Sequence, residues 1–120
     1  MNIQTVLCVV ITLFAIAAAG GLVMAGIRVF ADRNPPAWLA MLHGLLAGAG
    51  LTLLLFAAFT IGLPKYALWA LVLLVLAALG GVFLNLGFQE QRKLLPKPVV
   101  YIHALVAVIG FILLIVAAVA

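Results

Sequence analysis

The stretch PAWLAMLHGLLAGAGLTLLLFAA, Pro36–Ala58, carries no charge and a single ionisable side chain, His43. Sixty residues on, PKPVVYIHALVAVIGFILLIVAA, Pro96–Ala118, repeats its landmarks without a gap. Pro36 falls on Pro96, His43 on His103 and Gly50 on Gly110. The match extends upstream, where Gly20-Gly21 falls on Gly80-Gly81 and Leu13, Ala17 and Ala18 also recur. Leu and Ala coincidences are cheap in so apolar a chain. The paired Gly, Pro and His coincidences are not, and they divide the sequence into two copies, 1–60 and 61–120.

Each copy holds two apolar runs long enough to cross a bilayer core, which takes about 20 helical residues. The spans read as about 3–27, 38–63, 66–88 and 99–120, separated by Arg28–Ala37, a tight break at Leu63-Pro64-Lys65, and Gln89–Pro98. Pro35, Pro36, Pro64, Pro96 and Pro98 mark those breaks, since proline lacks a donor and fixes φ. The runs are continuous rather than alternating, which selects helices over a β-barrel. A cleaved signal sequence is the rival for the first span, with Ala17-Ala18-Ala19 as its small-residue site. It needs a basic leading region, and no Lys or Arg precedes Arg28.

Composition agrees. The chain has 120 residues, 70% hydrophobic and 7% charged, against roughly a quarter charged in soluble domains. Its six basic and two acidic side chains are too few for a nucleic-acid face. One cysteine, Cys8, excludes an internal disulfide or a Cys-rich metal site and reads as a small apolar residue among helix neighbours. The fold expected is all-α: an integral membrane four-helix bundle built from two tandem hairpins. Two spans per copy make both copies enter and leave on one side, so a pseudo-two-fold axis should lie along the membrane normal.

Loop charge sets the orientation. Arg28, Arg33, Arg92, Lys93 and Lys97 flank the first and third connections, while Lys65 stands alone on the other side. Positive-inside logic places the basic loops in the cytoplasm and both termini outside, in a bacterial inner membrane. Trp38 and Tyr101 then mark the inner interface, and Tyr66 and Trp69 the outer one.

An ionisable group inside a span is costly and is read first as a functional site. The helical positions that share a face with His43 are Ala47, Gly50 and Leu54. All recur beside His103 as Ala107, Gly110 and Leu114, so this face is expected inside the bundle. Each histidine lies seven residues past its proline, roughly 10 Å into the helix. Gly20, Gly21, Gly80 and Gly81 fall at the same depth, and interior glycines cost roughly 1 kcal/mol each relative to Ala. They therefore suggest close packing, as does the Gly44/Gly48 spacing, or room for a flat group against the backbone.

Two neutral imidazoles opposed across an axis, with glycine walls, describe one bis-histidine haem b site, with the iron held by His43 and His103. The basic loop end, Arg33 and Lys97 with Arg28, Arg92 and Lys93, is placed to pair with propionates. Asn85 has Ala25 at its repeat position and reads as a hydrogen bond to a neighbouring helix, while Thr12 and Thr52 can bond their own backbone.

The architecture and the His43/His103 pair resemble the small bacterial four-helix membrane b-type cytochromes, the b-561 type. That resemblance implies haem-based one-electron transfer with a quinone, superoxide or a protein partner. Family members often use four histidines for two haems; this chain has two histidines, enough for one. Small four-helix multidrug transporters depend on a first-helix glutamate, and no acid lies in any span here. Two other classes stay open: a structural or assembly subunit of a membrane complex, and a metal or proton transporter using the same pair. The lipid bilayer is the one certain partner, nucleic acid is excluded, and homo-oligomer formation stays open.

Overall fold

A computed structural model describes residues 1–120 as four helices, with no strand. Helix α1 spans Ile3–Phe30, α2 Ala37–Thr60, α3 Lys65–Leu84 and α4 Lys97–Val119. A five-residue π-helical turn, Asn85–Gln89, prolongs α3. All four are long and apolar enough to cross a membrane, and the chain is an integral membrane protein. The molecule measures 43 × 20 × 19 Å, which spans a hydrocarbon core of about 30 Å and reaches into both headgroup layers.

Helix ends follow local chemistry. Asn2 caps α1 by accepting from the Thr5 amide at 2.9 Å. Helices α2, α3 and α4 start just after Pro36, Pro64 and Pro96, and Pro98 sits in the first turn of α4, where no donor is lost. Helix α2 ends at Thr60, three residues before the sequence suggests. Gly62 takes φ +89° and returns its amide to the Ala57 carbonyl at 2.8 Å, so the tight break is 61–64. Asp32 and Arg92, sixty residues apart, both adopt the left-handed conformation, at φ 52° and 55°. The two basic loops therefore leave their helices by the same device, although Asp32 and Arg92 are unlike residues.

Helix α1 packs mainly on α2 and α3 mainly on α4, with α1–α4 and α2–α3 closing the ring. The dense core lies toward the Gly62 turn and the termini. It comprises Val6, Leu7, Val10 and Phe14 with Leu54 and Ala57, then Ala67, Ala70, Leu71 and Leu74 with Leu114 and Ala117. Gly50 and Gly110 are buried beneath it, so the face shared by the repeats does turn inward. The Gly50 site abuts the Phe14 ring, and Gly110 abuts Leu74.

At the opposite end the two basic loops are stitched together. Asn34 donates to the Lys93 carbonyl at 2.6 Å and accepts from the Leu95 amide at 3.0 Å. Gln89 donates to the Pro35 carbonyl at 2.8 Å. The buried Arg28 donates Nε–H to the Leu95 carbonyl at 2.7 Å and Nη1–H to Asp32 at 2.8 Å. The Asp32 side chain is 74% exposed, so that ion pair contributes about 1 kcal/mol at most. The larger effect is the Leu95 carbonyl, which keeps a buried guanidinium from being left unpartnered; bonds to charged groups contribute about 1.5–3 kcal/mol.

Several side chains sit otherwise than their sequence suggests. Gly44 and Gly48 face outward, with nothing within 4 Å of a Cβ placed on either, so they make no close helix contact. Cys8 is exposed on the lipid-facing side of α1 rather than among helix neighbours. Asn85 reaches Glu90 in its own segment, at 3.5 Å, not another helix. Thr12 and Thr52, by contrast, bond their own helix backbone as expected, at the Cys8 and Gly48 carbonyls one turn back.

The contrast between glycines gives a direct test. A Cβ at Gly50 would lie 2.7 Å from Phe14 Cε2, so Gly50→Ala should destabilise the bundle by about 1–3 kcal/mol. Gly48→Ala should be neutral or stabilising by up to about 1 kcal/mol, because nothing opposes its better helix propensity. Unfolding by dodecyl sulfate, followed by circular dichroism, would refute this packing if the two variants behaved alike.

Candidate functional site: a paired-imidazole centre

His43 on α2 and His103 on α4 are the only histidines, and both are half-buried. Their ring centres lie 6.3 Å apart with planes at 74°. His43 Nδ1 is 2.7 Å from the Ala17 carbonyl, and His103 Nδ1 is 2.7 Å from the Ala77 carbonyl. A carbonyl only accepts, so each Nδ1 carries the proton and donates. In a neutral imidazole, Nε2 then presents a lone pair.

The glycines explain how a helix carbonyl becomes available for this. In an α-helix the Ala17 carbonyl already accepts from the amide of Gly21, and Ala77 from Gly81. A side chain at the position four residues on would cover the carbonyl's second lone pair. A Cβ on Gly21 would lie 2.9 Å from His43 Cε1, and one on Gly81 would lie 3.2 Å from His103 Cε1. The room these two glycines make is therefore filled by the imidazoles themselves. Gly80 also borders His103, with a Cβ there 3.7 Å from Nδ1, whereas Gly20 meets only Leu39, at 3.9 Å. Ala17 and Ala77, the acceptors, are site residues that a search for reactive side chains passes over. Their signal was present as Ala-x-x-x-Gly at 17/21 and 77/81.

The other candidates divide. Arg33 is exposed and forms no ion pair, and Lys97 is half-exposed, 3.9 Å from Asp32. Arg28, by contrast, is committed to Asp32 and Leu95 and is not available to an incoming anion. No cluster of three or more His, Cys, Asp or Glu exists, so the two imidazoles are not joined by a third such side chain.

A groove of about 280 Å³ between α1 and α2 reaches His43, lined by Ala19, Gly20, Val23, Leu39 and Leu42 among others. The repeat places Leu79 and Phe83 where α1 has Ala19 and Val23. The smaller pair thus opens a lipid-side approach beside one histidine.

Gly21→Ala should push the His43 ring off the Ala17 carbonyl, Gly81→Ala should act more weakly on His103, and Gly26→Ala should change neither. The check is ¹⁵N-edited NMR in micelles, with one hydrogen-bonded Nδ1–H signal per histidine in the wild type. Persistence of both signals in Gly21→Ala would contradict the geometry; their loss should accompany about 1–2 kcal/mol of destabilisation. Comparison with protein-family models, with curated proteins and with solved structures finds no match to this chain.

Proposed function

We propose that this chain is a membrane b-type haemoprotein that passes single electrons, and that His43 and His103 would hold the iron of one haem b. The observation that carries the reading is the separation of two imidazoles that share one tautomer. Metal–imidazole bonds run about 2.0–2.1 Å, and a ring nitrogen lies roughly 1.1 Å from its ring centre. One iron held by the Nε2 atoms of both residues would set their ring centres a little over 6 Å apart, the order of the 6.3 Å found here.

The donor set selects among metals. A bare zinc or copper ion asks for three or four protein ligands, which this site does not offer. A porphyrin brings four nitrogens and asks the protein for two. When bound, the haem supplies a one-electron iron couple. The chain's own part is positional. The Ala17 and Ala77 carbonyls hold the Nδ1 protons and fix the ring planes, leaving each Nε2 lone pair free. Arg33 and Lys97 add positive charge at the same end of the bundle, suited to propionates. Because both histidines would be engaged in holding the iron, the chemistry supplied would be electron transfer rather than oxygen activation.

The loop charges favour a bacterial inner membrane with the basic loops in the cytoplasm and both termini outside. The pseudo-two-fold axis of the tandem hairpins would then run along the membrane normal between the histidines. The α1–α2 groove favours a lipid-dissolved partner such as a quinone; superoxide or a redox protein would approach from the loop side. A second reading has an observation of its own. Each histidine ties α2 to α1 or α4 to α3, which is what a structural subunit would ask of it.

Optical spectra of the purified chain separate the readings. The haem reading predicts a Soret band and a sharp reduced α-band, both lost in His43→Ala and in His103→Ala, with the helical content retained. A colourless protein after expression with ample haem, or variants that keep the spectrum, would leave the structural reading in its place.

A further inference from the structure

Near the basic loops each copy sends one side chain across to the other hairpin. Arg28 of α1 donates to the Leu95 carbonyl at 2.7 Å, and Gln89, at the end of the π-helical turn, donates to the Pro35 carbonyl at 2.8 Å. Leu95 stands sixty residues after Pro35, so the two acceptors are counterparts in the repeat. The two donors are not. The counterpart of Arg28 is Phe88, and Gln89 comes one residue later. The π-helical turn accounts for that offset. In it the Glu90 amide reaches back five residues, to the Asn85 carbonyl at 2.8 Å, whereas at the end of α1 the Ala31 amide reaches back four, to Ile27 at 3.0 Å. The added residue brings Gln89, rather than Phe88, to the inward position.

That placement is poorly satisfied. Gln89 Oε1 is buried and has no hydrogen-bond partner. Arg28 has only donors, so it strands no acceptor, and it bonds Asp32 as well. An orphaned buried acceptor costs at least what one neutral amide bond returns, so Gln89 gains nothing by pointing inward. A second arrangement relieves it. When the turn sheds its extra residue and becomes α-helical, Phe88 takes the inward position and Gln89 swings outward. A pocket of about 410 Å³ already adjoins Gln89, lined also by Asn34, Ala37, Arg92 and Leu94, and there Oε1 meets water.

We infer that the π-helical turn and Gln89 form a two-state latch on the seam between α2 and α3. Closed, Gln89 holds the Pro35 carbonyl, two residues before α2 begins. Open, the turn is α-helical, Pro35 is released, and α2 parts from α3 at the basic-loop end. That seam is the sparsest in the ring of helices. Arg28 and Asn34 keep the two loops joined throughout, so the motion is local. The opening lies roughly 12 Å along α3 from Gly81, the residue that borders His103. The latch does not depend on haem.

Relaxation dispersion of the backbone ¹⁵N signals, on the full chain in micelles, reads motion between two such states. Exchange broadening is expected across residues 85–93 and absent from their counterparts, 25–33. Gln89→Leu keeps the volume but removes the orphaned oxygen, and should reduce the broadening about threefold. Asn34→Leu cuts a loop contact without relieving any orphan, and should not reduce it. Exchange that is missing from 85–93, or equal in the two copies, would overturn the latch. So would broadening that is unchanged or grows in Gln89→Leu, since Gln89 would then be a plain tie between the hairpins.

Discussion

An imidazole N–H placed within the apolar layer must find an acceptor in the protein, because lipid offers none. Here the acceptors are the carbonyls of Ala17 and Ala77, each already serving its own helix, and each reachable because a glycine follows one turn later. Much follows from that constraint. It sets the rotational register of α2 against α1 and of α4 against α3. It fixes the tautomer, leaving Nε2 of both rings with a free lone pair. It also explains why Gly21 and Gly81 cannot be exchanged for the better helix former alanine, at a propensity cost of roughly 1 kcal/mol each.

The bundle divides its labour along its length. Toward the Gly62 turn, interdigitated Val, Leu, Phe and Ala make a continuous core. Toward the basic loops, the tie is polar: Arg28, Asn34 and Gln89 bind the carbonyls of the opposite loop. The imidazole pair stands between these two clamps, where small residues and half-buried positions replace the dense packing. A pair of imidazoles drawn from different hairpins needs both hairpins held in register at both ends, and the two kinds of contact supply that.

The sequence made the spans legible because helix length and charge exclusion are dictated by the bilayer, and the inward face was legible from its recurrence at 3.6-residue spacing. Helix α2 stops early because the Gly62 turn outcompetes three more apolar residues, a signal carried by that single glycine. Gly44 and Gly48 misled for a physical reason: small residues facing lipid and small residues at an interface have the same composition. Arg28 was counted among free cations although Asp32 stands one turn on, the spacing of an intrahelical pair. The carbonyl acceptors were the hardest to foresee, since a backbone group leaves no trace in the sequence except the glycine that uncovers it.

The pairing of the imidazoles around one centre is the claim on which the functional account stands. Titrating haem into the haem-free full chain in detergent, with absorbance followed to saturation, addresses it most directly. The account predicts a sharp break at one haem per chain and a six-coordinate low-spin spectrum from the first addition. A break at one haem per two chains would place the histidines of different molecules on one iron, and featureless partitioning with no break would show that the pair does not ligate haem.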